Sequence, residues 1–141
     1  MNSETLSRYA PYALAALRIA AALCFMAHGT QKMFGFPASQ MGGGGGFELF
    51  SLMGLAAVLE VFGGLAILLG LFTRPVAFIL SGQMAYAFWF MHVPMGGTII
   101  PVANGGDGAA LFCFIFLYLV FAGPGAFCLD GMVKSRRLAT A

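Results

Sequence analysis

Apolar residues fill four long stretches of this chain, and polar residues are confined to the breaks between them and to a few isolated positions inside. The stretches run from about Pro11 to Phe34, Glu48 to Leu71, Pro75 to Val93 and Asp107 to Gly125. A helix needs roughly 20 apolar residues to cross a hydrocarbon core of about 30 Å, so each reads as a transmembrane helix. The last has the shortest apolar run, ending near Ala122, and reaches full length only by borrowing residues as far as Phe127. Strands are the poorer reading, because lipid leaves no backbone group unpaired and so short a chain cannot close a barrel. The predicted fold is therefore all-α, an integral membrane four-helix bundle forming a single domain. Thr73-Arg74-Pro75 makes a tight turn with proline placed to start a helix, so the second and third helices should be antiparallel neighbours.

Composition agrees. The 141 residues are 60% hydrophobic and 9% charged, with a mean hydropathy of +0.90. A soluble domain carries about 25% charged residues; this chain has too few to cover a surface in water, and its solvent should be membrane lipid. With the N-terminus in the cytoplasm, Arg8, Arg18, Arg74, Lys134, Arg136 and Arg137 fall on the cytoplasmic side, leaving only Lys32 of the 7 basic residues outside. The positive-inside rule then predicts both termini in the cytoplasm and a basic cytoplasmic tail over about 131–141. The net charge of +2 reflects that topology and does not resemble a nucleic-acid surface. The first apolar stretch is too long for a cleavable signal peptide and lacks its small-residue site.

Two glycine-rich loops lie on the outer side. The first contains the run Gly42 to Gly46, and the second ends at Asn104-Gly105-Gly106-Asp107. Asp107 is placed to cap the last helix, where a carboxylate accepts from free backbone amides, or to contribute to a site at the mouth of the bundle. Cys24, Cys113 and Cys128 form no Cys-x-x-Cys pair and no metal set with the two histidines; thiols within spans pack as small apolar groups.

Candidate chemistry lies in the polar residues within the spans, which are expensive in lipid and usually face the bundle interior. His28, Gln31 and Lys32 stand at i, i+3 and i+4 on one helix face. Glu60 is near mid-span, with Gly63 and Gly64 on its face to admit a neighbouring helix. Gln83 is also near mid-span, where a glutamine often serves as interhelical glue, and His92 is near the outer end. These groups form a ladder from the bilayer centre toward the outer face. Glu60 at that depth must be paired or protonated, with His28 or Arg18 as the expected partner. Arg18 otherwise reaches the cytoplasmic side, and Lys32 otherwise extends to water at the outer interface.

His28-Gly29-Thr30-Gln31-Lys32-Met33-Phe34-Gly35 resembles the His-Gly-x-Gln-Lys signature that closes the first helix of the DoxX family. Leu59-Glu60-Val61-Phe62-Gly63-Gly64, followed by Leu69-Gly70-Leu71-Phe72-Thr73-Arg74, resembles its second-helix block. Asn104-Gly105-Gly106-Asp107 is similar to the motif before its last helix, and Gly123-Pro124-Gly125 with Asp130 to its tail. The resemblance covers about Leu17 to Met132 and implies a multi-pass protein of the bacterial cytoplasmic membrane. It marks His28, Gln31, Lys32, Glu60, Asn104 and Asp107 as motif residues. It also implies a setting of quinone-linked redox chemistry or of membrane anchors for redox-defence partners.

Three functions are then in view. A quinone-associated redox component would use His28, Gln31, Lys32, Glu60 and Gln83 as hydrogen-bonding and proton-relay groups, with some of the 15 phenylalanines lining the slot. A scaffold or anchor would recruit redox proteins through its tail or loops. A small transporter would need a homo-oligomer to build a pore. No metal or haem is expected, since His28 and His92 sit at different depths and cannot be matched axial ligands.

Overall fold

The computed structural model describes residues 2–38, 48 and 50–132. The glycine run at 42–46 and the basic tail from Lys134 onward lie outside the described residues. The described residues are helical and contain no strand. Helix α1 spans Ser3–Phe34, α2 Leu52–Leu69 and α3 Thr73–Gly96; each is long and apolar enough to cross a membrane. A short helix α4 spans Pro101–Asn104. The last apolar helix, α5, spans Asp107–Ala122 and is shorter than the other three.

The element limits differ from the sequence expectation mainly at the start of α1, which begins eight residues before Pro11. Proline removes one helical donor, and α1 tolerates that loss; the Pro11 carbonyl accepts a hydrogen bond from the Ala126 amide at 2.9 Å. Glycines in the left-handed conformation, Gly35 and Gly70, end α1 and α2. Both α2 and α3 contain one π-helical turn, Leu59–Gly63 and Phe88–His92. Such turns shift the hydrogen-bond ladder by a residue and often mark functional positions.

The core lies where α1, α2, α3 and α5 meet, on Ala22, Phe25, Ile67, Ala77, Leu80 and Phe116. The Phe25 and Phe116 rings pack edge to face at 4.8 Å, a favoured aromatic geometry. Ser81 Oγ donates to the Cys113 carbonyl at 2.9 Å, pinning α3 to α5. Large apolar side chains such as Phe78, Leu111, Phe114 and Phe121 face outward, as they should where the solvent is lipid.

One end of the bundle is tied by a single cation. Arg18 has 0% exposure and donates to five backbone carbonyls. Nη1 reaches Ile67 at 2.7 Å and Leu68 at 2.5 Å. Nε reaches Pro124 at 2.8 Å, and Nη2 reaches Ala126 at 3.2 Å and Phe127 at 2.8 Å. The last carbonyls of a helix lack internal partners and carry the negative end of its dipole. Arg18 thus joins the end of α2 to the segment after α5. Arg74 does the same for α5 itself, donating to Val120 at 2.7 Å and Phe121 at 2.9 Å.

Asp130 completes this lock. Its carboxylate accepts from the amides of Phe72 at 2.8 Å and Thr73 at 2.9 Å, where α3 begins. Its own amide donates to the Gly70 carbonyl at 2.9 Å. The clasp holds a turn in which both Gly70 and Phe72 have positive φ, 65° and 47°. A Cβ on Gly70 would also lie 2.5 Å from the Cys128 Cβ, so glycine is required there. Partial burial alone would raise the Asp130 carboxyl, but the Thr73 and Phe72 amides and the nearby Arg18 charge outweigh it and hold it below the ordinary range.

Removing the cation should take a donor from five carbonyls, of which Ile67 keeps another, the Gly70 amide. We predict that Arg18→Met destabilises the detergent-solubilised protein by at least about 3 kcal/mol in thermal unfolding, whereas Arg8→Met, on the exposed face, changes it little. Because folding depresses the Asp130 pKa, its contribution is present at neutral pH and is lost as pH falls through the folded value. The melting temperature should therefore drop below about pH 4, and Asp130→Asn should remove part of that slope.

Candidate functional site

Glycine determines where α1 and α2 can touch. A Cβ on Gly29 would lie 2.8 Å from the Glu60 Cβ and 2.9 Å from the Val61 backbone nitrogen, so only glycine permits this approach. One turn further along α1, Lys32 Nζ meets Glu60 Oε1 at 2.5 Å. The Glu60 side chain is 2% exposed and that of Lys32 32%. A buried carboxylate is therefore paired with a cation that retains access to the bundle surface.

Gln83 joins the pair from α3. Its Nε2 donates to the Ala56 carbonyl at 3.2 Å and lies 3.4 Å from Glu60 Oε1. Ala56 lies three residues before the π turn of α2, and its carbonyl also accepts from the Leu59 amide. His28 lies on α1 within electrostatic reach of Glu60. It is exposed at the bundle surface, with its ring edge-on to Phe112 at 6.1 Å. Two buried acceptors of the cluster, Glu60 Oε2 and Gln83 Oε1, have no hydrogen-bond partner among the described residues.

His28, Lys32, Glu60 and Gln83 thus lie near one another, where the sequence pattern placed them as a ladder of depths. The partnerships within the cluster differ from expectation. Glu60 is bound by Lys32, while Arg18 is occupied with the carbonyls at the other end. Fourteen residues separate Arg18 from Lys32, about 20 Å along α1, so the bundle has two separate polar centres. Lys32 does not extend freely to water, because the close contact at Gly29 brings Glu60 within reach of its stem.

The remaining candidates serve the loops. Gln31 Nε2 donates to the Pro37 carbonyl at 3.0 Å and ties the chain leaving α1. Asn104 is buried; its Nδ2 donates to the Thr98 carbonyl at 2.9 Å, and its Oδ1 accepts from the Gly106 amide at 2.8 Å. It thereby shapes the turn into α5. Asp107 does not cap that helix: Gly106 holds the cap position, and no side-chain cap bond forms. Asp107 is exposed and sits in the first turn, where its charge still suits the dipole.

Two surface cavities lie away from the cluster. One runs between the end of α2 and residues 125–132, and the other lies beside Phe50 to Val58. The cluster communicates with the surface through the side chains of His28 and Lys32 instead. Among the described residues, no three His, Cys, Asp or Glu side chains converge on a point where a metal could bind. The carbonyl cage of Arg18 escaped the sequence reading. Its signal was an arginine within a span, level with the end of a neighbouring helix whose carbonyls need donors.

Fold and site together define a helical, membrane-spanning protein that carries a buried lysine–carboxylate pair between its first two helices. The chain belongs to the DoxX family, whose model matches residues 13–93. It is also 49% identical to an uncharacterized protein of Haemophilus influenzae over 128 residues, covering 90% of this chain and 95% of that one. No solved structure matches it.

Proposed function

We propose that this protein is a quinone-associated component of a membrane redox system, crossing the bacterial cytoplasmic membrane four times with both termini inside. The observation that carries this reading is the Lys32–Glu60–Gln83 cluster with His28 beside it. It combines a buried carboxylate that has one oxygen free with two basic side chains that reach the bundle surface. A quinone headgroup needs donors for its carbonyls and a group that exchanges protons with it. Lys32 and His28 are suitable donors, and Glu60 is a suitable exchanger. The surrounding lipid would deliver a tailed quinone to this surface without an enclosed pocket.

Reduction of a quinone takes two electrons and two protons. In this reading the protons pass by way of Glu60, His28 and Lys32, and the electrons come from a partner redox protein docked on the membrane surface. A second reading has a specific observation behind it: neither surface cavity reaches the cluster. The ion pair would then only fasten α1 to α2, and the protein would be a non-catalytic anchor for redox-defence partners.

The topology follows from the distribution of basic residues, with α5 lengthened by the segment held on Arg18. A reporter active only outside the cytoplasm should be silent when fused after Ala141 and active when inserted near Gly44; an active C-terminal fusion would exclude an even number of crossings.

Lipid extraction of the purified protein, followed by mass analysis, should recover quinone well above the level retained by an unrelated membrane protein. His28→Ala and Glu60→Gln should each reduce that recovery several-fold in protein that still elutes as a monodisperse species, while the outward-facing Phe78→Leu should not. Background recovery from the wild-type protein, together with loss of a co-purifying partner on deletion of residues 134–141, would favour the anchor.

A further inference from the structure

The two unused groups of the cluster are both acceptors. Glu60 Oε2 and Gln83 Oε1 are buried without a donor, on side chains that already approach each other at 3.4 Å. Desolvated acceptors of this kind are costly to leave unpaired, and a ligand supplying hydrogen-bond donors would relieve that cost. The two forms of a quinone differ in this respect. The oxidised headgroup presents two carbonyl acceptors, which would meet Glu60 Oε2 and Gln83 Oε1 with repulsion. The reduced headgroup presents two hydroxyl donors.

The nearest donor within the cluster is also committed, since the Lys32 ammonium already serves Glu60 Oε1. The flexible four-carbon stem of Lys32 and its partial exposure let it withdraw toward the surface, opening the way to both acceptors. Building on the quinone reading above, we infer that the site selects the reduced, hydroxyl-bearing form, with Glu60 Oε2 and Gln83 Oε1 as the acceptors that distinguish it. The protein would then hold a quinol at this position, and Gln83 is a specificity-determining residue.

Anaerobic titration calorimetry of the full-length protein in lipid nanodiscs tests this with a tail-less benzoquinone and its hydroquinone. The hydroquinone should bind more tightly by about tenfold, the effect of a single hydrogen bond. Gln83→Leu should remove most of that preference, weakening the hydroquinone while relieving the repulsion felt by the oxidised form. Equal affinities, or a preference for the oxidised form, would overturn the inference while leaving quinone binding intact. Failure of both forms to bind the wild-type protein would sink the quinone reading and this inference with it. The wild-type affinity ratio decides the matter even if Gln83→Leu does not fold.

Discussion

Five backbone carbonyls converge on the guanidinium of Arg18, from the end of α2 and from the segment that follows α5. In lipid no water is at hand to satisfy helix ends, so the carbonyls that terminate α2 and the residues beyond α5 need donors supplied from inside the bundle. A lysine could satisfy at most three of them; the planar five-donor guanidinium serves them all. Asp130 then reaches across to the first amides of α3, so α1, α2, α3 and the end of α5 are assembled around one charged centre. With that end fixed, α1 and α2 run antiparallel from a common anchor, and the level at which Lys32 meets Glu60 is set by the length of α1 between them.

The second charged centre obeys the same constraint in a different way. Arg18 is balanced by dipoles and by Asp130. Glu60 has one ion-pair partner among the described residues, Lys32, and keeps one oxygen unpaired. A pair that served only to join two helices would gain from full satisfaction or from replacement by packed apolar side chains. An incompletely satisfied carboxylate, placed on a π turn beside two surface-reaching bases, is what a proton-exchanging site requires. The contrast between the fully engaged Arg18 guanidinium and the half-satisfied Glu60 carboxylate is the physical basis for proposing function at the Glu60 end.

Much of this was legible in the sequence because lipid makes polar residues conspicuous. Three helices long enough to span followed from the apolar runs, with a shorter fourth, and His28, Lys32, Glu60 and Gln83 stood out among the polar groups inside them. Their pairing was not legible. Lys32 looked like an interfacial lysine, and only the close approach at Gly29 shows that its stem crosses to α2. Arg18 looked like a partner for Glu60, since charge suggests a charge; helix-end carbonyls are an equally good sink for a cation but leave no mark on side-chain sequence. Asn104 and Asp107 share one motif, yet only Asn104 bonds the turn, because the cap position fell to Gly106. The π turns had no sequence signal at all: Leu59–Gly63 reads as ordinary helix.

The most direct test of the account is whether Lys32 and Glu60 act as one unit within the membrane. A double-mutant cycle on Lys32→Met and Glu60→Gln, read as thermal stability in lipid nanodiscs, measures this. The expected coupling energy is at least about 1.5 kcal/mol, the double mutant being destabilised by clearly less than the sum of the single changes. Additive effects would mean that the two side chains do not depend on each other, and the proposed site would lose the interaction on which it is built.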